Sequence, residues 1–140
     1  LFYYRGYAKP EEVYDGDTFR VELDLGFKLK YTTSVRLFGV NTAEMKDKSD
    51  IAKLAKALAN FPIAKLAKAK LQDFIRKNNG KLIIRSHGLD KYGRFLGEVW
   101  GDETQPTINK QLITEGLALE YFGVGKKEAF DPSKQTQNDT

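Results

Sequence analysis

The chain has 140 residues, of which 41% are hydrophobic and 30% charged, and its formal charge is +4. This composition is typical of one folded domain with a sizeable core, and it excludes a disordered chain. The absence of cysteine excludes disulfides, thiolate metal sites and a cysteine nucleophile, and the single histidine, His87, excludes a site that needs two imidazoles.

Three strands are predicted in the first forty residues. Residues 8–14 form the first strand, and the Asp-Gly pair at 15–16 is a turn signal. From 18 to 26, hydrophobic residues alternate with charged ones, which is the pattern of a half-buried strand. Gly26 and Phe27 then turn the chain into a third strand over about residues 28–40.

A long helical segment comes next. Apolar residues recur at helical spacing over 51–58 and again over 63–75, and Asn-Asn-Gly at 78–80 is a stop signal. Pro62 removes a backbone donor and disfavours helix at the residue before it. We therefore predict a short helix, a break at 60–62 and then the main helix.

The lysines of this segment lie opposite its apolar stripe. A solvated face is their simplest meaning. A surface that follows a nucleic-acid backbone and a membrane-binding face remain open alternatives. The residues concerned are Lys53, Lys56, Lys65 and Lys68.

Two strands and a short helix complete the fold. Residues 81–86 and 94–100 predict a hairpin with its turn at 88–93, and a helix follows over about 107–115, capped by Thr107 and stopped by Gly116. The pattern predicts an α+β fold: a five-stranded Greek-key barrel of the OB type, with the long helical segment between strands 3 and 4 and the short helix after strand 5. We expect one domain over 1–125 and a polar, disordered tail over 126–140.

Three motifs carry the candidate chemistry: Asp-Gly-Asp-Thr at 15–18, Val-Arg-Leu-Phe-Gly-Val-Asn-Thr-Ala-Glu at 35–44, and Asp-Lys-Tyr-Gly-Arg at 90–94. Each alone has an ordinary interpretation as a turn or a solvated strand end. Together they supply oxygen ligands for a hard cation, a carboxylate that could activate water, and two guanidinium groups for a phosphate. Pairing of strands 2 and 3 would bring the first two motifs to one mouth of the barrel, where small barrels bind ligands.

In this order, the motifs resemble those of the staphylococcal nuclease (thermonuclease) family, and Gly-Leu-Ala at 116–118 matches the segment after the family's second helix. The resemblance extends over about residues 3–121. It implies an OB-type barrel and Ca²⁺-dependent hydrolysis of phosphodiester bonds in DNA and RNA, with in-line attack of water and departure of the 5′ oxygen. Little base specificity is expected, because the matching residues all address phosphate.

The resemblance also implies a role for each matching residue. Asp17, the Asn41 side chain and the Thr42 backbone carbonyl would bind Ca²⁺. Glu44 would act as the general base. The other positions would bind phosphate or support the metal ligands: Arg36 and Arg94 at the scissile phosphate, Lys91 and Tyr92 at a neighbouring phosphate, Tyr121 near the nucleotide, and Asp15 behind the metal ligands.

Two positions depart from the family's type member, which has Asp in place of Asn41 and Pro in place of Ala43. Asn41 keeps an oxygen ligand but drops a negative charge, so weaker metal affinity is expected. Ala43 lacks the backbone rigidity of proline, so it would hold Glu44 in position less firmly. The type member's long third helix has no counterpart after Phe122.

We expect a monomer that has DNA or RNA as its partner. No membrane partner is expected, because no apolar run reaches the roughly 18 residues that span a bilayer and the bulky apolar residues of the helical segment are needed to cover the barrel. The sequence shows no signal-peptide pattern, and the compartment stays open. The alternative function is a catalytically silent OB module that binds single strands through basic and aromatic side chains. Asn41 and Ala43 favour this alternative, whereas a pure binder would not need the acids and arginines of the three motifs.

Overall fold

The computed structural model describes residues 2–42 and 51–121, and it describes side chains over 2–42 and 62–121. The sequence forms seven strands and two helices in these ranges. In chain order they are β1 (Tyr3–Asp15), β2 (Thr18–Gly26), β3 (Leu29–Leu37), β4 (Gly39–Thr42), α1 (Ile51–Lys77), β5 (Lys81–Leu89), β6 (Phe95–Trp100), α2 (Ile108–Thr114) and β7 (Ala118–Tyr121).

Five of the strands close into a barrel in the order β1-β2-β3-β6-β5, and β4 and β7 form a separate two-stranded sheet. All pairs are antiparallel except β3 and β6, which run parallel over residues 35–37. The α+β fold of the OB type is confirmed. The predicted long helix is also confirmed, and in chain order it comes before the last two barrel strands.

The barrel core is clearest in β2, where buried and exposed residues alternate over 19–23. Phe19, Val21 and Leu23 of β2 face inward and are fully buried, as the sequence pattern predicts. Leu71 and Ile75 of α1 are buried in the same cluster. Each such side chain contributes about 1.5–3 kcal/mol through burial. The helix is therefore held firmly against the barrel.

The predicted extent of the third strand, residues 28–40, is wrong, because the structure has two strands there, β3 and β4. Gly39 has φ = 76°, a conformation that L side chains rarely adopt, and it separates β3 from β4. β4 leaves the barrel and pairs with β7, which was not predicted. Both strands have only four residues, too few for a clear period of two.

The predicted break at 60–62 is also wrong, because α1 continues through Pro62 as one helix. Proline in a helix interior costs about 3 kcal/mol. Alanine, leucine and lysine dominate the helix on both sides of it. The residues that follow are packed, since Ala67 is buried in the barrel core and Ala64 is buried with Leu119 of β7. Pro62 thus disfavours the helix locally, and the surrounding helix residues together outweigh this cost.

The predicted hairpin of β5 and β6 and the predicted short helix are both present. Thr107 caps α2, because its hydroxyl accepts the Lys110 N–H at 3.1 Å. At the other end, Gly116 has φ = 74° and the Leu117 N–H donates to the Leu112 carbonyl at 2.9 Å, which closes the helix. Neither described helix is long and apolar enough to cross a membrane. The predicted tail at 126–140 and the boundary at 125 lie outside the described residues.

Candidate functional site

A cavity of about 420 Å³ opens at one mouth of the barrel. Four segments that are distant in sequence meet there: the β1–β2 turn, the end of β3, β4, and the β5–β6 turn. The described residues that line it are Asp15, Asp17, Thr18, Arg36, Asn41, Thr42, Tyr92 and Arg94.

The β1–β2 turn reaches the cavity because Gly16 lets it pack closely against α1. A Cβ at Gly16 would lie only 2.5 Å from the Cβ of Ala67 and 3.0 Å from its carbonyl carbon. A larger residue would therefore push the turn, and Asp17 with it, away from the helix. The Asp17 carbonyl also accepts the Leu37 N–H at 2.8 Å, which fastens the turn to β3.

The Asp17 carboxylate is buried and has three partners. Its Oδ2 lies 2.8 Å from Nη1 of Arg36, which is buried as well. The Thr42 N–H donates to Oδ2 at 3.2 Å, and the Thr18 hydroxyl donates to Oδ1 at 3.0 Å. The strand register explains the meeting, since Thr18 stands directly opposite Arg36 in the β2–β3 pair.

Two buried polar atoms of this cavity have no hydrogen-bond partner in the described part of the chain: Nη1 of Arg36 and the Thr42 hydroxyl oxygen. The close approach of Nη1 to Asp17 is therefore an ion pair whose N–H bonds are not aimed at the carboxylate. An unsatisfied buried polar group costs about 1–3 kcal/mol. A polar ligand that reached these buried atoms would give each of them a partner.

The third motif forms the β5–β6 turn and orders its own arginine. Asp90 Oδ2 accepts the Arg94 Nε–H at 2.7 Å, and Oδ1 accepts the backbone N–H groups of Tyr92 and Arg94, both at 2.8 Å. Burial raises the pKa of Asp90, but these hydrogen bonds and the charge of Arg94 outweigh burial and hold the pKa below its usual 3.8. The Asp90 carboxylate is thus fixed by the turn, and it holds the Arg94 side chain in place.

The remaining candidates lie at or beyond the edge of the cavity. The Tyr92 ring has Lys91 Nζ at 5.2 Å and the Arg94 guanidinium carbon at 5.3 Å from its centroid. Tyr121 ends β7 opposite Gly39. Neither Lys91 nor Tyr121 is among the described lining residues, and Glu44, the predicted general base, lies outside the described residues, as does Ala43. Their roles stay predictions.

The cavity offers oxygen atoms of the kind that Ca²⁺ prefers: the carboxylates of Asp15 and Asp17, the Asn41 amide and the Thr42 carbonyl. In the described ranges, no group of three or more His, Cys, Asp or Glu side chains could hold a metal. These ligand atoms are therefore of the type that a hard cation binds, but few of them carry a negative charge. Because Asp17 already has three protein partners, a cation would share its carboxylate with Arg36.

Sequence reasoning missed Asn109, which holds the segment between β3 and β4. Its Oδ1 accepts the Val99 N–H at 3.0 Å, and its Nδ2 donates to the carbonyls of Phe38 and Gly97 at 2.9 and 3.0 Å. The Phe38 ring also stacks on His87, with centroids 3.9 Å apart. A lone asparagine in a short helix gives no sequence signal for these contacts.

A comparison with protein-family models gives one match, described as staphylococcal nuclease homologue, over residues 34–139. This range is more than half of the chain. It includes the second and third motifs and begins after the first. No curated protein matches the chain.

Proposed function

Because the chain belongs to the staphylococcal nuclease homologue family, we propose that it is a Ca²⁺-dependent nuclease that hydrolyses phosphodiester bonds of DNA and RNA. Membership of this family supports a nuclease-type role with nucleic acid as the partner. The observation that carries the proposal further is the buried Asp17–Arg36 pair, with Asn41, Thr42 and Arg94 around one cavity. A silent binding module would have no need of such a pair.

The two arginines would bind the scissile phosphate from two sides. Arg36 approaches from β3, where the Asp17 carboxylate holds its guanidinium with Oδ2 2.8 Å from Nη1. Asp90 binds Arg94 through Nε, so the terminal nitrogens of Arg94 can address an anion. Guanidinium forks match phosphate oxygens in pairs and stabilise the charge that grows on them in the transition state.

Asp17, the Asn41 side chain and the Thr42 carbonyl would hold Ca²⁺, with Asp15 behind them. A bound divalent cation supplies positive charge that polarises a phosphoryl oxygen and lowers the pKa of water. Asn41 contributes no formal charge, so Asp17 carries the anionic part of this ligand set. The residue that binds the cation is thus the one that orients Arg36.

Glu44 would accept the proton of the attacking water, in the role that the family resemblance implies. Water attacks phosphorus in line with the 5′ oxygen, which leaves and takes a proton from solvent. Arg36 and Arg94 stabilise the negative charge on the five-coordinate transition state. Little base specificity is expected, because phosphate contacts position a nucleic acid and only base contacts specify it.

Incubation of supercoiled plasmid with the protein tests this proposal. Nicked and linear products should form with Ca²⁺ and disappear with a chelator. Arg36→Lys should be strongly impaired, since a point charge does not reproduce the fork. Arg20→Lys is the matched control, because Arg20 also lies in the barrel sheet but is exposed and pairs with Glu12. Intact plasmid at every Ca²⁺ concentration, with single strands still bound, would replace the nuclease by the silent binding module.

A further inference from the structure

One outer face of the barrel carries aromatic rings beside cations. Gly6, Ala8, Leu82, Ile84 and Val99 face the core, so their neighbours on β1, β5 and β6 face outward. We call this surface the ring face. Its members are Tyr3, Arg5, Tyr7, Lys81, Arg85 and Trp100.

The rings and cations of the ring face are paired by strand register. Tyr3 stands opposite Arg85 and Tyr7 stands opposite Lys81 in the β1–β5 pair. The Arg85 guanidinium carbon lies 5.8 Å from the Tyr3 ring centroid, and the Tyr3 and Trp100 rings are 6.0 Å apart. Tyr3 is 61% exposed and Tyr7 48% exposed, so both rings can receive a flat partner.

The charges of this face are divided between its two sides. Lys81 and Arg85 lie on β5, whereas Asp24 and Glu22 stand opposite Arg5 and Tyr7 on the neighbouring β2. Glu98 of β6 lies 3.9 Å from Arg85 and contacts His87, so it offsets part of the Arg85 charge and leaves Lys81 as the stronger cation of β5. A polyanion would therefore place its phosphates on the β5 side and its apolar groups on the rings.

The ring face is also continuous with the cavity. β5 carries Lys81 and Arg85 and runs directly into the turn that bears Tyr92 and Arg94. At about 3.3 Å per residue, the distance from Lys81 to Asp90 is about 30 Å. An extended strand several nucleotides long can follow β5 from the ring face to the cavity.

We propose that the ring face binds single-stranded nucleic acid, with bases stacked on Tyr3, Tyr7 and Trp100 and phosphates beside Lys81 and Arg85. The inference rests on the proposed function, since it makes this face the approach to the scissile phosphate. Aromatic platforms beside cations bind single strands because every exposed base has a flat face for stacking. A duplex keeps those faces stacked inside, so the occupant is a single strand.

Trp100 is the only tryptophan of the chain, so its fluorescence reports on this face alone. In chelator, where no cleavage occurs, an oligothymidylate of about twelve nucleotides, within the range of OB-type binding sites, should quench Trp100 emission to saturation. Thymidine 3′,5′-bisphosphate, which is too short to reach the ring face from the cavity, should leave the emission unchanged. Absent quenching by the oligonucleotide, or equal quenching by a duplex of the same length, overturns the proposal.

Tyr3→Ala should weaken oligothymidylate binding at least about fivefold, the lower end of the range for one stacked base. Tyr7→Ala gives a second exposed position with the same expectation. Phe27→Ala is the matched control and should bind like wild type, because Phe27 is a 97% exposed ring at the far tip of the β2–β3 hairpin. Wild-type affinity in both tyrosine variants refutes the stacking.

The cationic side has its own measurement. Lys81→Gln should reduce the slope of log affinity against log salt by about 0.7, the contribution of one phosphate contact on a single strand. Lys110→Gln removes an exposed lysine from α2 and should leave the slope unchanged. Plasmid cleavage without Trp100 quenching would overturn the ring face alone, whereas quenching without cleavage would support the ring face and overturn the nuclease.

Discussion

The carboxylate of Asp90 should decide how well Arg94 works. Asp90→Asn keeps an oxygen for the two backbone N–H groups that Oδ1 now accepts, and replaces Oδ2 by an amide group that cannot accept the Arg94 Nε–H. The variant therefore removes one charge-assisted hydrogen bond and leaves the turn in place. A guanidinium without that anchor can leave the phosphate position.

A charge-assisted hydrogen bond contributes about 1.5–3 kcal/mol when it is buried. The Asp90 side chain is 13% exposed and that of Arg94 is 34% exposed, so solvent screening reduces the loss of unfolding free energy to about 1 kcal/mol. We expect kcat/KM for a small nucleotide substrate to fall about tenfold, which corresponds to about 1.4 kcal/mol of transition-state stabilisation.

The pH dependence of stability gives a second readout. The folded pKa of Asp90 is lowered, so its carboxylate stabilises the fold above the unfolded pKa of 3.8, and this contribution is lost as pH falls through the folded pKa. Asp90→Asn should flatten that acid limb in urea unfolding.

Asp102→Asn is the matched control, because Asp102 also accepts a turn N–H, at 2.9 Å from Thr104, without an arginine partner. It should leave kcat/KM unchanged. Equal kcat/KM and equal acid limbs in wild type and Asp90→Asn would refute the anchoring of Arg94.

Four further outcomes are expected. Glu44→Gln should lower kcat at least about a hundredfold with nucleotide binding retained, if it is the general base, as single-turnover kinetics would show. Arg36→Lys should lower kcat more than it raises KM, since the fork acts on the transition state. Asn41→Asp should tighten Ca²⁺ binding in calorimetry, because it adds a second carboxylate to the one from Asp17; equal affinity would remove Asn41 from the ligands. Asn109→Ala should lower the free energy of unfolding by about 3 kcal/mol in urea, because it leaves buried backbone groups such as the Val99 N–H unsatisfied.

The parts of the fold that sequence predicts are those that local pattern determines. β2 alternates over residues 19–23 because one of its faces is buried in the barrel, and its bounds agree with the prediction, although Leu25 near its end is 45% exposed. Thr107 and Gly116 mark the ends of α2 because a hydroxyl cap and a glycine of positive φ are local requirements. Each of these signals acts within a few residues, so a single sequence carries it.

The parts that sequence does not predict depend on contacts between distant residues. β4 exists because β7, almost eighty residues later, pairs with it. The continuation of α1 through Pro62 is supported by packing on both β7 and the barrel core, which no local propensity includes. Asn109 joins α2 to the Phe38 carbonyl, 71 residues earlier, and no motif announces it.

The same division holds within the candidate site. The motifs identify Asp17 and Arg36 by residue type, but only the β2–β3 register explains why they meet, since Thr18 and Arg36 are cross-strand partners. That meeting ties the two proposed roles together: a cation at Asp17 would reduce the hold of this carboxylate on Arg36, and the guanidinium would then be drawn to a phosphate. Because Asn41 adds no charge, Asp17 must serve both groups with one carboxylate. Asn41 in place of Asp would therefore weaken the proposed Ca²⁺ site and also make Arg36 more dependent on the phosphate for its counter-charge.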